Sequence, residues 1–208
     1  KNVIWKSPIP GRGHCSPILV GERIFLSTAD DRNKTQSVLA FDRKTGKKLW
    51  EEVVHSGGFP AKIHKKNTHA SPTVASDGHH VFATFYSDKA VQVVALKVDG
   101  TKAWKKAVGP FEPKRYEFGY GASPLIFKDT LIVVGDQVKG GFLAALDRGT
   151  GDIKWRIKRP ADINYATPIV GNVAGSDQIL ISGSGQVTSY NPSTGKLNWA
   201  AKGTCPQT

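Results

Sequence analysis

The 208 residues, 39% hydrophobic and 22% charged with 22 glycines and 12 prolines, can bury a core and suit a turn-rich all-β chain better than a helix bundle. Two cysteines exclude a disulfide framework, no CxxC pair is present to build a zinc cluster, and no apolar run approaches the roughly 18 residues a spanning helix needs. Lysine and arginine outnumber acids 29 to 17, a formal net charge of +12, so an anionic partner is expected, although no module for specific nucleic-acid recognition is present.

The predicted elements follow one another as short strands bounded by turn residues. Residues 16–20, 23–27, 37–42 and 47–53 form a first group of four, and 71–75, 80–85, 91–97 and 102–108 a second. A third group covers 123–127, 130–136, 141–147 and 153–157, and a fourth covers 167–173, 178–182, 186–191 and 196–200. Each group opens on a Ser-Pro or Thr-Pro pair, at Ser16, Ser71, Ser123 and Thr167. Proline is tolerated at the first residue of a strand, so these pairs read as strand starts.

A second marker closes each group. Ala40, Asp42, Thr45, Gly46 and Trp50 recur at the same spacing as Ala145, Asp147, Thr150, Gly151 and Trp155. A weaker copy carries Asn191, Thr194, Gly195 and Trp199, and a shortened one carries Asp99, Gly100 and Trp104. All five tryptophans, Trp5, Trp50, Trp104, Trp155 and Trp199, fall in one series with gaps of 45, 54, 51 and 44 residues. That period belongs to propeller blades rather than helical repeats. Asp and Thr-Gly suit the tight turn before the fourth strand, and the tryptophan behind it has a large ring to bury against a neighbouring blade.

The pattern Ala-x-Asp-x-x-Thr-Gly-x-x-x-Trp, met in full at 40–50 and 145–155, resembles the tryptophan-docking repeat of pyrroloquinoline-quinone (PQQ) dehydrogenases and of the wider PQQ-like, BamB-like propeller family. The resemblance covers the whole chain. It implies an all-β, β-propeller fold of four-stranded antiparallel blades, with the five tryptophans as structural docking residues. Blades are expected at 9–55, 68–109, 119–159 and 164–202, with 1–8 and 203–208 belonging to neighbouring blades. Family propellers commonly have more than four blades, so the chain reads as a portion of a longer propeller, completed by the remaining blades or by a second copy. Closure as a four-bladed ring, which would let Cys15 approach Cys205, is the alternative.

In a propeller the innermost strands line the central channel, so the residues just before each Ser/Thr-Pro should converge at its mouth. The candidates there are Arg12, His14, His64, Lys66, Asn67, His69, Lys114, Arg115, Glu117, Tyr120, Asn164 and Tyr165. His14 and His69 occupy equivalent repeat positions and are weak metal candidates. No third ligand recurs with them, and the expectation is that they bond backbone at the blade starts. The cations among the candidates favour an anionic group over the channel. Cys15 reads as an inert thiol.

The expected function is therefore a non-catalytic binding or scaffold propeller, with no catalytic residue and no cofactor, presenting a basic loop surface to a protein or anionic ligand. The resemblance places such proteins in the bacterial periplasm or cell envelope. The alternative is a PQQ-dependent oxidoreductase, similar to alcohol or sugar dehydrogenases. Its calcium, PQQ and catalytic groups would be held by blades absent from this chain.

Overall fold

Sixteen strands make up the regular structure of residues 2–60, 62–112 and 118–203, which a computed structural model describes, and no helix is found among them. The first sheet holds β1 (Ile18–Val20), β2 (Arg23–Asp30), β3 (Thr35–Asp42) and β4 (Lys48–Ser56). The second holds β5 (Ala75–Ser76), β6 (His80–Ser87), β7 (Ala90–Lys97) and β8 (Lys102–Pro110). The third holds β9 (Leu125–Phe127), β10 (Thr130–Gly135), β11 (Phe142–Asp147) and β12 (Ile153–Lys158). The fourth holds β13 (Ile169–Val173), β14 (Ser176–Gly183), β15 (Gln186–Tyr190) and β16 (Leu197–Lys202). Every sheet is an antiparallel meander in chain order, and the four sheets are blades of a β-propeller.

Strand alternation explains how the blades stack. Successive side chains point to opposite faces, so one strand can feed two interfaces. In the second sheet, Val81, Ala83, Phe85, Val94 and Leu96 pack into a core shared with Phe25, Val38 and Ala40 of the first. Phe82, Val91, Val93 and Ala95 point the other way and join Leu131, Val133 and Leu143 of the third. The middle strands are thus buried on both faces, which is why β10 is buried at every position.

The first strands are shorter than the sequence predicts. They begin at Ile18, Ala75, Leu125 and Ile169, after the Ser/Thr-Pro pairs rather than on them. The chain there is tied sideways to the next blade instead of to its own sheet. The Ser16 N–H donates to Thr73 Oγ1 (3.0 Å), the Thr73 N–H to Ser123 Oγ (2.9 Å) and the Ser123 N–H to Thr167 Oγ1 (3.0 Å). An amide used this way has no proton left for a strand ladder.

The repeated turn carries out two tasks. Asp42 Oδ1 accepts the N–H groups of Lys44 (3.0 Å) and Thr45 (2.7 Å), and Asp147 and Asn191 repeat the bond pattern. The Thr45 hydroxyl and these amides hold the exposed Asp42 carboxyl below the usual carboxylate range. Behind the turn, each outer strand carries a bulge at the residue before its tryptophan: Leu49, Ala103, Lys154 and Asn198. A bulge re-aims the side chain that follows it. Trp50, Trp104 and Trp155 accordingly reach the turn of the next blade, their indole N–H groups donating to Val98 O (3.2 Å), Arg148 O (3.0 Å) and Pro192 O (3.0 Å). Trp5 does the same to Arg43 O (3.0 Å) of the first blade. The turn glycine is the seat: at Gly151, φ is +77° and an added Cβ would lie 2.6 Å from the Trp104 ring.

The outer seams are closed by cations. Val54 and Val108 are second bulges in β4 and β8, which leave their carbonyls outside the ladder. Lys105 Nζ donates to Val54 O (2.9 Å) and Arg156 Nη1 to Val108 O (3.0 Å), each reaching back one blade. In the fourth blade the corresponding residue is Ala200, which cannot do this. There the third blade reaches forward instead. Buried Arg159 donates from Nε and Nη2 to Asp136 (3.0 and 2.7 Å) and from Nη1 to Thr188 Oγ1 (2.8 Å) and Tyr190 Oη (2.6 Å). Burial opposes the charge on Arg159, but the Asp136 carboxylate outweighs it and raises the guanidinium pKa further.

Candidate functional site

The inner ends of the second, third and fourth blades enclose a surface cavity of about 490 Å³ lined by His64, Lys66, Asn67, Ser71, Phe118, Gly121 and Tyr165. Its size falls in the range of small-ligand and side-chain pockets. A tight turn builds one wall: the Asn67 N–H donates to His64 O (2.8 Å) and the Lys66 N–H to His64 Nδ1 (3.3 Å). The second bond makes Nδ1 an acceptor, so neutral His64 carries its proton on Nε2.

Asn67 organises the centre. Its Nδ2 donates to the Phe118 carbonyl, while Oδ1 accepts from the Ser71 hydroxyl (2.6 Å) and lies 3.3 Å from His14 Nδ1. Three segments far apart in sequence are thereby joined. Phe118 forms the aromatic floor, with ring centroids 4.8 Å from His64 and 5.9 Å, edge-on, from Tyr165. Lys66 is exposed in the lining, and neither it nor its chain neighbour Lys65 makes an ion pair with a described residue.

Of the residues singled out from sequence, His64, Lys66, Asn67 and Tyr165 line this cavity, and His14 joins it through Asn67. Four others lie elsewhere. Arg12 is 3.8 Å from Asp31, the acid at the tip of the β2–β3 connection, and its backbone bridges to Ala29. The His69 ring lies against Phe59 (4.2 Å between centroids) and 3.9 Å from Asp31, and burial lowers its pKa against the opposing pull of that carboxylate. Tyr120 is buried, donates its hydroxyl to Val134 O (2.8 Å), and has its pKa pushed up by desolvation. Asn164 is buried and bonds Ser182 O (2.9 Å), Asp136 Oδ2 (3.3 Å) and the Ala166 N–H (3.1 Å). Lys114, Arg115 and Glu117 lie outside the described residues, as does Cys205.

The expected backbone bonds of the two histidine rings are replaced by the Asn67 contact at His14 and the Phe59 and Asp31 contacts at His69. No group of three or more His, Cys, Asp or Glu among the described residues is placed to hold a metal. Calcium takes six to eight oxygen ligands, usually including carboxylates. The described lining of the cavity offers amide, hydroxyl and phenol oxygens beside a lysine. Cys15 exchanges bonds with the Ser27 backbone, its thiol donating to the carbonyl (3.1 Å) and accepting from the amide (3.3 Å).

Sequence reasoning missed Phe118 and Ser71. Following only the residues immediately before each Ser/Thr-Pro, and the cations nearby, passes over Phe118, whose entry depends on the long-range Asn67 bond. Ser71 had been read only as a strand start.

The family model described as outer membrane protein assembly factor BamB matches residues 1–70 and 34–207. The chain belongs to this family. No curated protein matches it. Solved structures similar in fold include a europium-containing methanol dehydrogenase, with TM-score 0.64 and 16% identity over 90% of this chain and 41% of that one. The quinohemoprotein alcohol dehydrogenase from Comamonas testosteroni gives TM-score 0.65 and 16% identity over 94% of this chain and 36% of that one. A quinohemoprotein alcohol dehydrogenase from Pseudomonas putida HK5 gives 0.59 and 15% over 89% and 34%. At such identities the likeness is one of fold, and the chain spans well under half the length of each of these proteins.

Proposed function

We propose that this chain is a non-catalytic binding and assembly propeller of the bacterial cell envelope, which presents the basic loop surface at the inner blade ends to a protein or anionic partner. The observation that carries the reading is the cavity itself. Its aromatic floor and the exposed Lys66, which forms no ion pair with a described residue, are suited to gripping an anionic or protein partner. Membership of a family described as an outer-membrane assembly factor supports it. No helix among the described residues is long and apolar enough to cross a membrane, a statement that leaves strands aside.

In this reading Trp199 serves as a docking residue for a further blade or a second copy, as the four tryptophans before it reach a neighbouring turn within the chain. Fold shared with quinoprotein dehydrogenases does not transfer their chemistry, because function resides in the site and not in the blades.

Titration of the purified chain with poly-glutamate, in parallel with PQQ and calcium, tests the reading. Saturable, salt-sensitive binding of the polyanion that weakens in Lys66→Glu is expected. One-to-one PQQ binding dependent on calcium, and abolished by His14→Ala or Arg115→Ala, would overturn it in favour of the oxidoreductase alternative.

A further inference from the structure

We propose that residues 2–9 cap the first blade against a second copy of the chain: Trp5 fills the turn seat that Trp199 of another molecule fits, and the face opens to head-to-tail joining when the segment leaves. This rests on the docking role given to Trp199 above and is independent of what the inner cavity binds. One piece of recognition recurs along the chain. A ring lies on a turn glycine held at positive φ, and its N–H donates to a carbonyl of the same turn. Trp50 does so on Gly100 with Val98 O, Trp104 on Gly151 with Arg148 O, and Trp155 on Gly195 with Pro192 O. Gly46, at φ +70°, lies under Trp5, whose N–H donates to Arg43 O (3.0 Å). Among the described residues, five tryptophans thus meet four such seats. Trp199 is left over, 37% exposed and with its N–H turned back to Gln178.

The fourth blade continues the row of seams inside the chain. Asp42, Thr45 and Gly46 match Asn191, Thr194 and Gly195, the turn that seats Trp155. The first-blade turn of a second copy therefore offers Trp199 what β12 already finds on the fourth blade. Such a contact is heterologous, and it propagates into rings or filaments unless one end is closed. Trp5 closes it from within. The Ser7 hydroxyl donates to Gly46 O, the Thr28 hydroxyl to Pro10 O, and Arg12 bridges to Ala29. A short tether of this kind holds a ring near its seat at an effective concentration on the order of millimolar, which a second copy at micromolar levels does not match. The cover is nonetheless shallow and removable. Residues 2–10 belong to no strand, and Val3, Ile4 and Leu19 stay more than half exposed.

Sedimentation equilibrium of the intact chain is the test. Trp5→Ala should self-associate at least about tenfold more tightly than the unmutated chain, and adding Trp199→Ala should abolish the gain. A peptide of residues 2–9 should dissolve the Trp5→Ala assembly, while its twin with alanine at position 5 should not. Gly46→Ala, whose Cβ would overlap the Trp5 ring, expels the cap and bars the seat together, so it should not associate. If Trp5→Ala folds poorly, Trp5→Phe, which keeps a ring on the glycine but cannot bond Arg43 O, should show a smaller gain that Trp199→Ala removes. Equal association of Trp5→Ala and the unmutated chain would overturn the cap. With the peptide still bound, the docking role of Trp199 is what fails; with no peptide bound, the seat itself fails. A Trp5→Ala assembly that survives Trp199→Ala would overturn the proposal as well. The poly-glutamate titration stands apart from all of these outcomes.

Discussion

β12 and β16 are the same strand of the repeat, each with a bulge before its tryptophan, and they end in opposite situations. On β12, Trp155 is half-buried and donates to Pro192 of the next blade, and exposure alternates along the strand. On β16 every residue is exposed, Trp199 is 37% exposed, and its N–H turns back to Gln178 of its own sheet (2.9 Å). Local sequence therefore sets the strand, the bulge and the aim of the ring. A neighbouring blade supplies the burial.

The largest test of that contrast compares the two kinds of tryptophan. Trp104→Ala should lose about 3–5 kcal/mol in urea unfolding, whereas Trp199→Ala should lose about 1 kcal/mol, the worth of one hydrogen bond. Equal losses would break the comparison. Arg159→Ala should also cost about 3–5 kcal/mol, because it leaves Asp136 buried without its cation at the seam that Ala200 cannot close. Next comes the seat. Gly151→Ala, at φ +77° and against the Trp104 ring, should cost about 2–4 kcal/mol, while Gly175→Ala, at φ +80° with nothing within 4 Å, should cost only about 1–2 kcal/mol from backbone strain.

A smaller effect reports on the first seam. His55, buried in β4 beside Phe85, is held at about 4 rather than 6.5, by desolvation first and by the Lys105 charge second. The fold keeps it neutral while the unfolded chain takes up a proton below about pH 6.5. Stability should therefore be complete near neutrality and fall as pH drops from about 6.5 towards 4, by on the order of 2 kcal/mol once solvent screening is allowed for. Urea midpoints across that range should show the slope, and His55→Leu should flatten it. Lys105→Met, which releases Val54 O at the rim of the same seam, should cost under about 1 kcal/mol.

Much of the fold was legible because its signals are local. The bonds of Asp42 to the Lys44 and Thr45 amides span a few residues, and the Gly and Trp that follow recur at blade spacing, so one copy predicts the next. The sideways ties at Ser16, Thr73 and Ser123 were not legible, because a hydroxyl that accepts an amide from another blade looks like any strand residue. Arg159 offered a signal that went unread. It stands four residues after Trp155, where Trp50 and Trp104 are followed by Val54 and Val108. The site was legible in part. His64, Lys66 and Asn67 were found as polar residues near a blade start, whereas the backbone bridge of Arg12 to Ala29 and the packing of the His69 ring on Phe59, which set those two beside Asp31, are long-range contacts that carry no local signal.

Hydrogen–deuterium exchange of the chain with and without poly-glutamate tests the functional claim most directly. Protection should concentrate at residues 62–71, 118–121 and 164–166, where three blades meet around Asn67 and Phe118. Protection confined instead to β16 and the exposed face of the fourth blade would contradict the claim, and would make the unpaired blade face the partner surface.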